Sequence, residues 1–244
     1  ARRGARDGDR RAAPGARSVT AILDPRSAWL AERRSLITAS DAAAILGADP
    51  YRGPLAVYAE KLGTEAEESL AMRRGKRWEA TIAEEYAEQT GRPVIDAGRY
   101  VIQRHPDLPW LGATLDRVTS FDWWGTGKGG RFVGEAPLEI KMALGSAREW
   151  KDGPPVGYLV QIQIQAACFG STWAAIAGMT GMGPLAESDH ERNDAFLAAA
   201  IPRLEEFLSR VRHGEPPPAD GSPGTTAAIK ALWPTEDGGT VALD

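Results

Sequence analysis

The five residues Pro137-Leu138-Glu139-Ile140-Lys141 constrain the fold of this chain more than any other stretch. They alternate with a period of two. As a strand they send Leu138 and Ile140 to one face and Glu139 and Lys141 to the other. The apolar face belongs in a core, which makes the segment part of a buried sheet. A carboxylate and an ammonium then lie side by side where unpaired charge is costly, so they must be paired or used. A cross-strand salt bridge meets that demand as well as a functional site does. Asp116, at the end of the preceding predicted strand, adds a second acid to the same sheet.

The chain has 244 residues, enough for one domain with a sizeable core and small appendages. A single cysteine, Cys168, excludes an intramolecular disulfide framework, a cysteine-rich zinc site and a four-cysteine iron–sulfur cluster. No apolar run reaches the roughly 20 residues of a membrane span. The basic, Ala/Gly-rich start lacks the apolar stretch of a signal peptide. The expectation is a soluble protein of a reducing compartment. Net charge is −4, but it is uneven: residues 1–34 hold nine arginines against four acids. An acidic total does not exclude a nucleic-acid enzyme, because a carboxylate metal site is itself negative. It does imply salt-sensitive binding unless basic groups converge on one surface.

Residues 1–24 lack hydrophobic periodicity and read as a disordered basic arm. Thr38-Ala39-Ser40-Asp41 resembles a capping box opening a short helix that stops at Gly47. Pro54 suits the first position of a second helix, ended by Gly63, and a longer one spans about 68–89 before Gly91. Segments 94–102 and 110–118 read as strands, 119–134 as a Gly-rich loop or hairpin, and 173–179 as a final strand. The stretch around Val160–Gln165 alternates like a strand but also fits a helical face. Ser188-Asp189-His190-Glu191 reads as a capping box for a terminal helical region that Pro202 interrupts or restarts. Pro216-Pro217-Pro218 ends the compact part, leaving 214–244 as a mostly extended tail. The fold class is α/β, a mixed sheet flanked by helices, with the compact domain over 25–213.

On the helix over 68–89, the neighbours of Glu79 at three, four and seven residues are Ile82, Ala83 and Tyr86, the apolar stripe. Glu79 therefore faces the edge of the core. Gly75, one turn earlier, costs the helix about 1 kcal/mol relative to Ala, as if making room. The plain alternative is a buried Glu held by Arg or Lys.

Several blocks in fixed order carry a resemblance. They are Trp29-x3-Arg33-x3-Ile37-Thr38-Ala39-Ser40-Asp41-Ala42-x2-Ile45-Leu46-Gly47, then Met72-Arg73-x-Gly75-x3-Glu79, Asp116, Glu139-Ile140-Lys141 and Pro155-x2-Tyr158-x2-Gln161-x-Gln163. Over roughly 29–213 this resembles the YqaJ-like viral recombinases, the phage-type exonucleases that include lambda exonuclease. It also settles 160–165 as helix. The resemblance implies a restriction-endonuclease-like PD-(D/E)xK core and Mg²⁺-dependent digestion of linear duplex DNA from its 5′ ends. Glu79, Asp116 and Glu139 would be metal ligands, with the backbone carbonyl of Ile140. Such oxygen donors suit two Mg²⁺, or Mn²⁺, ions. Lys141 would orient or deprotonate the attacking water, with Gln161 supporting it. Arg33, Ser40 and Thr114 would grip a 5′-phosphate, with Arg148 as a looser fourth member whose spacing is offset by about one residue. A single-strand annealing protein as partner, a ring-shaped homotrimer and action in a bacterial cytoplasm complete what the resemblance implies.

Two other readings stand beside it. One is a site- or structure-specific endonuclease on the same core, although no basic base-reading helix is apparent. The other is a catalytically silent DNA-end binder. Trp123-Trp124 could stack on DNA ends but loop aromatics commonly fold back. Gly127-Lys128-Gly129-Gly130 lacks the phosphate-loop pattern. His105, His190 and His213 have no ligand spacing.

Overall fold

The computed structural model describes residues 24–64, 68–121 and 132–234. Most of the expected arm, the Trp123-Trp124 pair and residues 127–130 lie outside these ranges. Asp24 opens α1 (Pro25–Arg34) by accepting from the backbone N–H groups of Arg26 and Ser27. The chain passes through β1 (Ile37–Thr38) into α2 (Ala39–Ile45), where the Thr38–Asp41 capping box forms as read from the sequence. Pro54 begins α3 (Pro54–Lys61), and α4 (Leu70–Thr90) ends at Gly91, whose φ of 69° closes the helix.

Strands β2 (Val94–Asp96), β3 (Gln103–Arg104), β4 (Leu111–Ala113), β5 (Arg117–Phe121) and β6 (Gly134–Met142) follow. Then come α5 (Val156–Phe169), β7 (Trp173–Met179), β8 (Ala186–Glu191), α6 (Asp194–His213) and α7 (Pro223–Leu232). They build a five-stranded mixed sheet, β2-β5-β6-β7-β8, and a three-stranded one, β1-β4-β3. Only β6–β7 is parallel in the larger sheet, as its crossover through α5 requires. Helix α4 covers one face: Ile82, Ala83 and Tyr86 pack on Leu138, Ile140 and Ala175. Helix α5 covers the other, with Ile162 and Ala166 against Ala174 and Ile176. The mixed, helix-flanked sheet agrees with the fold class read from the sequence.

Several element boundaries differ from that reading. Segment 94–102 is not one strand, because β2 stops at Asp96 and the chain turns at Gly98, which has a φ of 88°. Segment 110–118 is two strands in different sheets, so Asp116 lies at the switch between them, just before β5, and does not end a strand. β7 is not the final strand. Ser188 to Glu191 lie in β8, an edge strand of polar residues held by its ladder to β7, and α6 takes Asn193 as its cap. Pro202 sits inside a continuous α6. The chain also stays compact past Pro218, since α7 buries Thr225 and Ala228 and packs on α3.

Candidate active site

Glu139 is 2 % exposed, yet it lies on a central strand beneath α5. Its burial is tolerated because both oxygens are hydrogen-bonded. Gln161 Nε2 donates to Oε1 at 2.7 Å, and Gln165 Nε2, one turn on, donates to Oε2. Lys141 Nζ pairs with Oε1, donates to Gln161 Oε1 at 3.3 Å, and lies 4.8 Å from the centre of the Tyr158 ring. Burial opposes the Lys141 charge, but Glu139 and Asp116 outweigh it, and the ammonium's pKa is raised above its ordinary value. The Glu139–Lys141 pair that the alternation places on one face is thus a salt bridge, and one with two glutamines built around it.

Asp116 reaches this group because the β5–β6 ladder ends at Arg117 opposite Leu138. The next free N–H on that edge, Ile140 N, donates to Asp116 Oδ2 at 2.9 Å. Burial first, and then the Glu139 charge, push the Asp116 carboxyl well above the usual carboxylate range, with Glu79 adding to both. Glu79 faces the core edge and is engaged by Arg117 Nη1 at 2.6 Å. The sequence reading allowed for an Arg or Lys on Glu79 but did not name Arg117. Gln165 was missed as well: it falls in an apolar stretch of α5, and only its i, i+4 relation to Gln161 hinted at a shared target.

A second group forms around Asp41, which is buried. It accepts from Thr38 N, from Arg52 Nη2 at 3.0 Å and from Lys61 Nζ at 2.7 Å. Burial opposes its charge, but Lys61, Arg52 and Arg33 outweigh that and hold the carboxyl far below its ordinary pKa. On top of this base, Arg33 Nη2 donates to Ser40 Oγ at 3.1 Å. The Arg33 guanidinium lies 4.7 Å from the centre of the Trp29 ring, and Trp29 Nε1 donates to Thr114 Oγ1 at 3.1 Å. The structure therefore brings Arg33, Ser40 and Thr114 together through Trp29. Arg148 is exposed on the loop after β6, and none of its described contacts joins that group.

Among the described residues no three His, Cys, Asp or Glu side chains stand close enough to enclose a metal ion as placed. Glu79 is turned to Arg117, and Glu139 to Lys141 and the two glutamines. The donor set still suits a hard divalent cation in kind: carboxylates and a carbonyl oxygen, one carboxyl being raised by negative neighbours whose charge a cation would offset.

The fold is similar to that of two crystal structures of LHK-Exo, an alkaline exonuclease from Laribacter hongkongensis, one of them in complex with dAMP. They are 24% and 23% identical to this chain, with TM-scores of 0.60 and 0.61, and each match covers 78% of this chain and 94% of the other. The shared architecture is the PD-(D/E)xK core. The YqaJ protein of Bacillus subtilis (strain 168) is 29% identical over 217 residues, which is 85% of this chain and 63% of that protein. The chain thus spans less than two thirds of the length of that relative. A model of the YqaJ-like viral recombinase domain matches residues 28–182, more than half of the chain. With blocks, fold and model in agreement, the chain belongs to the YqaJ-like viral recombinase domain family.

Proposed function

We propose that this protein is a divalent-metal-dependent exonuclease that digests linear duplex DNA from its 5′ ends. The 3′ single strands it leaves would feed recombination by an annealing partner. The observation that carries this is the meeting of Asp116, Glu139 and Lys141 at the point where β5 and β6 part. Acids crowded beside a lysine make a costly arrangement for stability alone, and a fitting one for phosphodiester hydrolysis. The name of LHK-Exo and its dAMP complex support the same class of reaction.

Asp116, Glu139, Glu79 and the Ile140 carbonyl would hold Mg²⁺ or Mn²⁺, two ions in this reading, which would supply positive charge at the scissile phosphate and lower the pKa of water. Lys141, as an ammonium, donates to the attacking water or a phosphate oxygen, and Gln161 fixes its direction. Gln161 and Gln165 fix the direction of the Glu139 carboxylate, and Glu79 would turn from Arg117 to join it. Arg33, Ser40 and Thr114 hold the 5′-phosphate, with the buried Asp41 pair beneath them fixing the scaffold. Arg148 joins them if its loop closes on the DNA. A homotrimeric ring around the duplex, at work in a bacterial cytoplasm, fits this reading.

The test is digestion of linear duplex labelled at each 5′ end in turn, with Mg²⁺ and with EDTA, beside a covalently closed circle and the Lys141→Ala protein. Early release of 5′ label as mononucleotides, an intact circle and an inactive variant are expected. A nicked circle would instead identify an endonuclease. Binding without metal-dependent digestion would leave a DNA-end binder.

A further inference from the structure

The turn between α2 and α3 lies between the two groups described above. On one side, Arg52 donates to Asp41 Oδ1 and to the Ser40 carbonyl at 2.8 Å, tying the turn to the base of the Arg33–Ser40 group. On the other, the turn abuts the first turn of α5: a Cβ on Gly157 would lie 2.8 Å from the Ala48 carbonyl oxygen. Gly157 precedes Tyr158, whose ring covers Lys141. At the tip stands Tyr51, 71 % exposed.

This turn is rigid. Asp49 Oδ1 accepts from the backbone N–H of both Tyr51 and Arg52, at 2.8 and 3.2 Å. Helix α7, well beyond residues 28–182, then clamps it from outside. Gly224 N donates to the Tyr51 carbonyl at 2.9 Å, and a Cβ on Gly224 would stand 3.0 Å from that oxygen. The Asp220 carboxylate fills the space where Gly53 has no side chain, since a Cβ there would come within 1.7 Å of Oδ2. Asp220 is itself held by Ser222 at 2.7 Å and by Thr225. A large ring presented to solvent from a backbone anchored on three sides has given up burial without gaining freedom. Such a ring is placed for a flat, apolar ligand surface.

We propose that Tyr51 stacks on a base of the DNA end held between the Arg33–Ser40 group and Lys141, and that α7 is a positioning element that fixes Tyr51 for this contact. The inference rests on the exonuclease reading and deepens it. Stacking is indifferent to which base arrives, as an enzyme that digests any end requires.

The probe is a duplex with 2-aminopurine at or next to the 5′ end, mixed in Mg²⁺ with the full chain carrying Lys141→Ala so that the end is not consumed. Tyr51 should quench the fluorophore on binding. Adding Tyr51→Ala should remove the quench and weaken binding on the order of ten- to a hundred-fold, the loss of one base–aromatic stack. Tyr51→Trp should restore both. Gly224→Ala, whose methyl would stand 3.0 Å from the Tyr51 carbonyl oxygen and force that contact to shift without touching DNA, should reduce the quench with far-UV circular dichroism unchanged. Unaltered quench and affinity in Tyr51→Ala would overturn the stacking role, and an unaltered quench in Gly224→Ala the role of α7. Digestion by the unsubstituted protein, run in parallel, separates these failures from failure of the exonuclease reading itself.

Discussion

Glu139 shows how a single buried charge can be both stable and available. Its hydrogen bonds come from one lysine and two glutamines, and Gln165 gives one without receiving any, since Gln165 Oε1 is buried with no partner among the described residues. A hydrogen bond to a charged group contributes about 1.5–3 kcal/mol, and an unsatisfied buried acceptor costs about 1–3 kcal/mol. Gln165→Leu relieves the unsatisfied Oε1 but leaves the buried Glu139 Oε2 without its donor, so it should lower unfolding free energy by about 1–3 kcal/mol in a urea titration, while kcat falls clearly because Glu139 has lost one of its two guides. A large loss of stability with unchanged kcat would reverse this assignment. Asp41 behaves differently. Its removal strands Lys61, whose side chain is 5% exposed, without a counter-charge and leaves Arg52 with Glu60 alone. Asp41→Asn should cost about 3–5 kcal/mol in the same titration. Because the folded-state pKa of Asp41 is depressed, its contribution is full above the unfolded carboxylate pKa and is lost as pH falls below it toward the folded value. Unfolding free energies measured from pH 7 down to pH 3 should show that loss in the parent and a smaller slope in Asp41→Asn. At this scale the sequence was informative wherever a period placed a residue. Glu139 and Lys141 follow from alternation and Asp41 from its capping pattern. Arg52, Lys61 and Arg117 come from other elements, and no local pattern names their targets.

Elements that rely on backbone pairing or glycine packing were the ones hardest to read. β8 is Ala186 to Glu191, with no apolar alternation, and it exists because β7 offers it a free edge. Its Ser-Asp-His-Glu run looks like a helix start because capping and edge-strand residues are drawn from the same polar set. β4 and β5 looked like one strand because Leu115, between them, continues the apolar run. α7 was hidden behind three prolines, and its docking surface is partly the absence of side chains at Gly53 and Gly224. Helix α6 offers a test of element energetics. Pro202 is exposed and removes one backbone hydrogen bond from the helix interior, a defect of about 3 kcal/mol in an otherwise regular helix. Pro202→Ala should raise unfolding free energy by about 1–3 kcal/mol. No gain, or a loss, would mean that Leu204 and Phe207 pack only on a helix bent at that point.

Across the whole molecule, the two residue groups sit beside different sheets, which α5 packs against together and the short chain between β4 and β5 joins directly. The net charge of −4 means that DNA must be held by local cations against a repulsive background. With Arg33, Lys141 and Arg148 as the phosphate contacts, about three counterions are released. Affinity for duplex ends should then drop roughly forty-fold between 50 and 200 mM salt, measurable by fluorescence anisotropy. A much steeper dependence would mean that further arginines, those of the N-terminal arm foremost, contact DNA. The short link between the sheets carries one more consequence. Thr114, hydrogen-bonded into the Arg33 group, and Asp116, hydrogen-bonded to β6, are separated by a single residue. Two residues of extended chain span at most about 7 Å, which is about the length of one nucleotide of a DNA strand. In the proposed exonuclease this link is a gauge for the distance from the grip on a strand's end to the place where the strand is cut, and one inserted residue at Leu115 should change the length of the released product before it changes anything else.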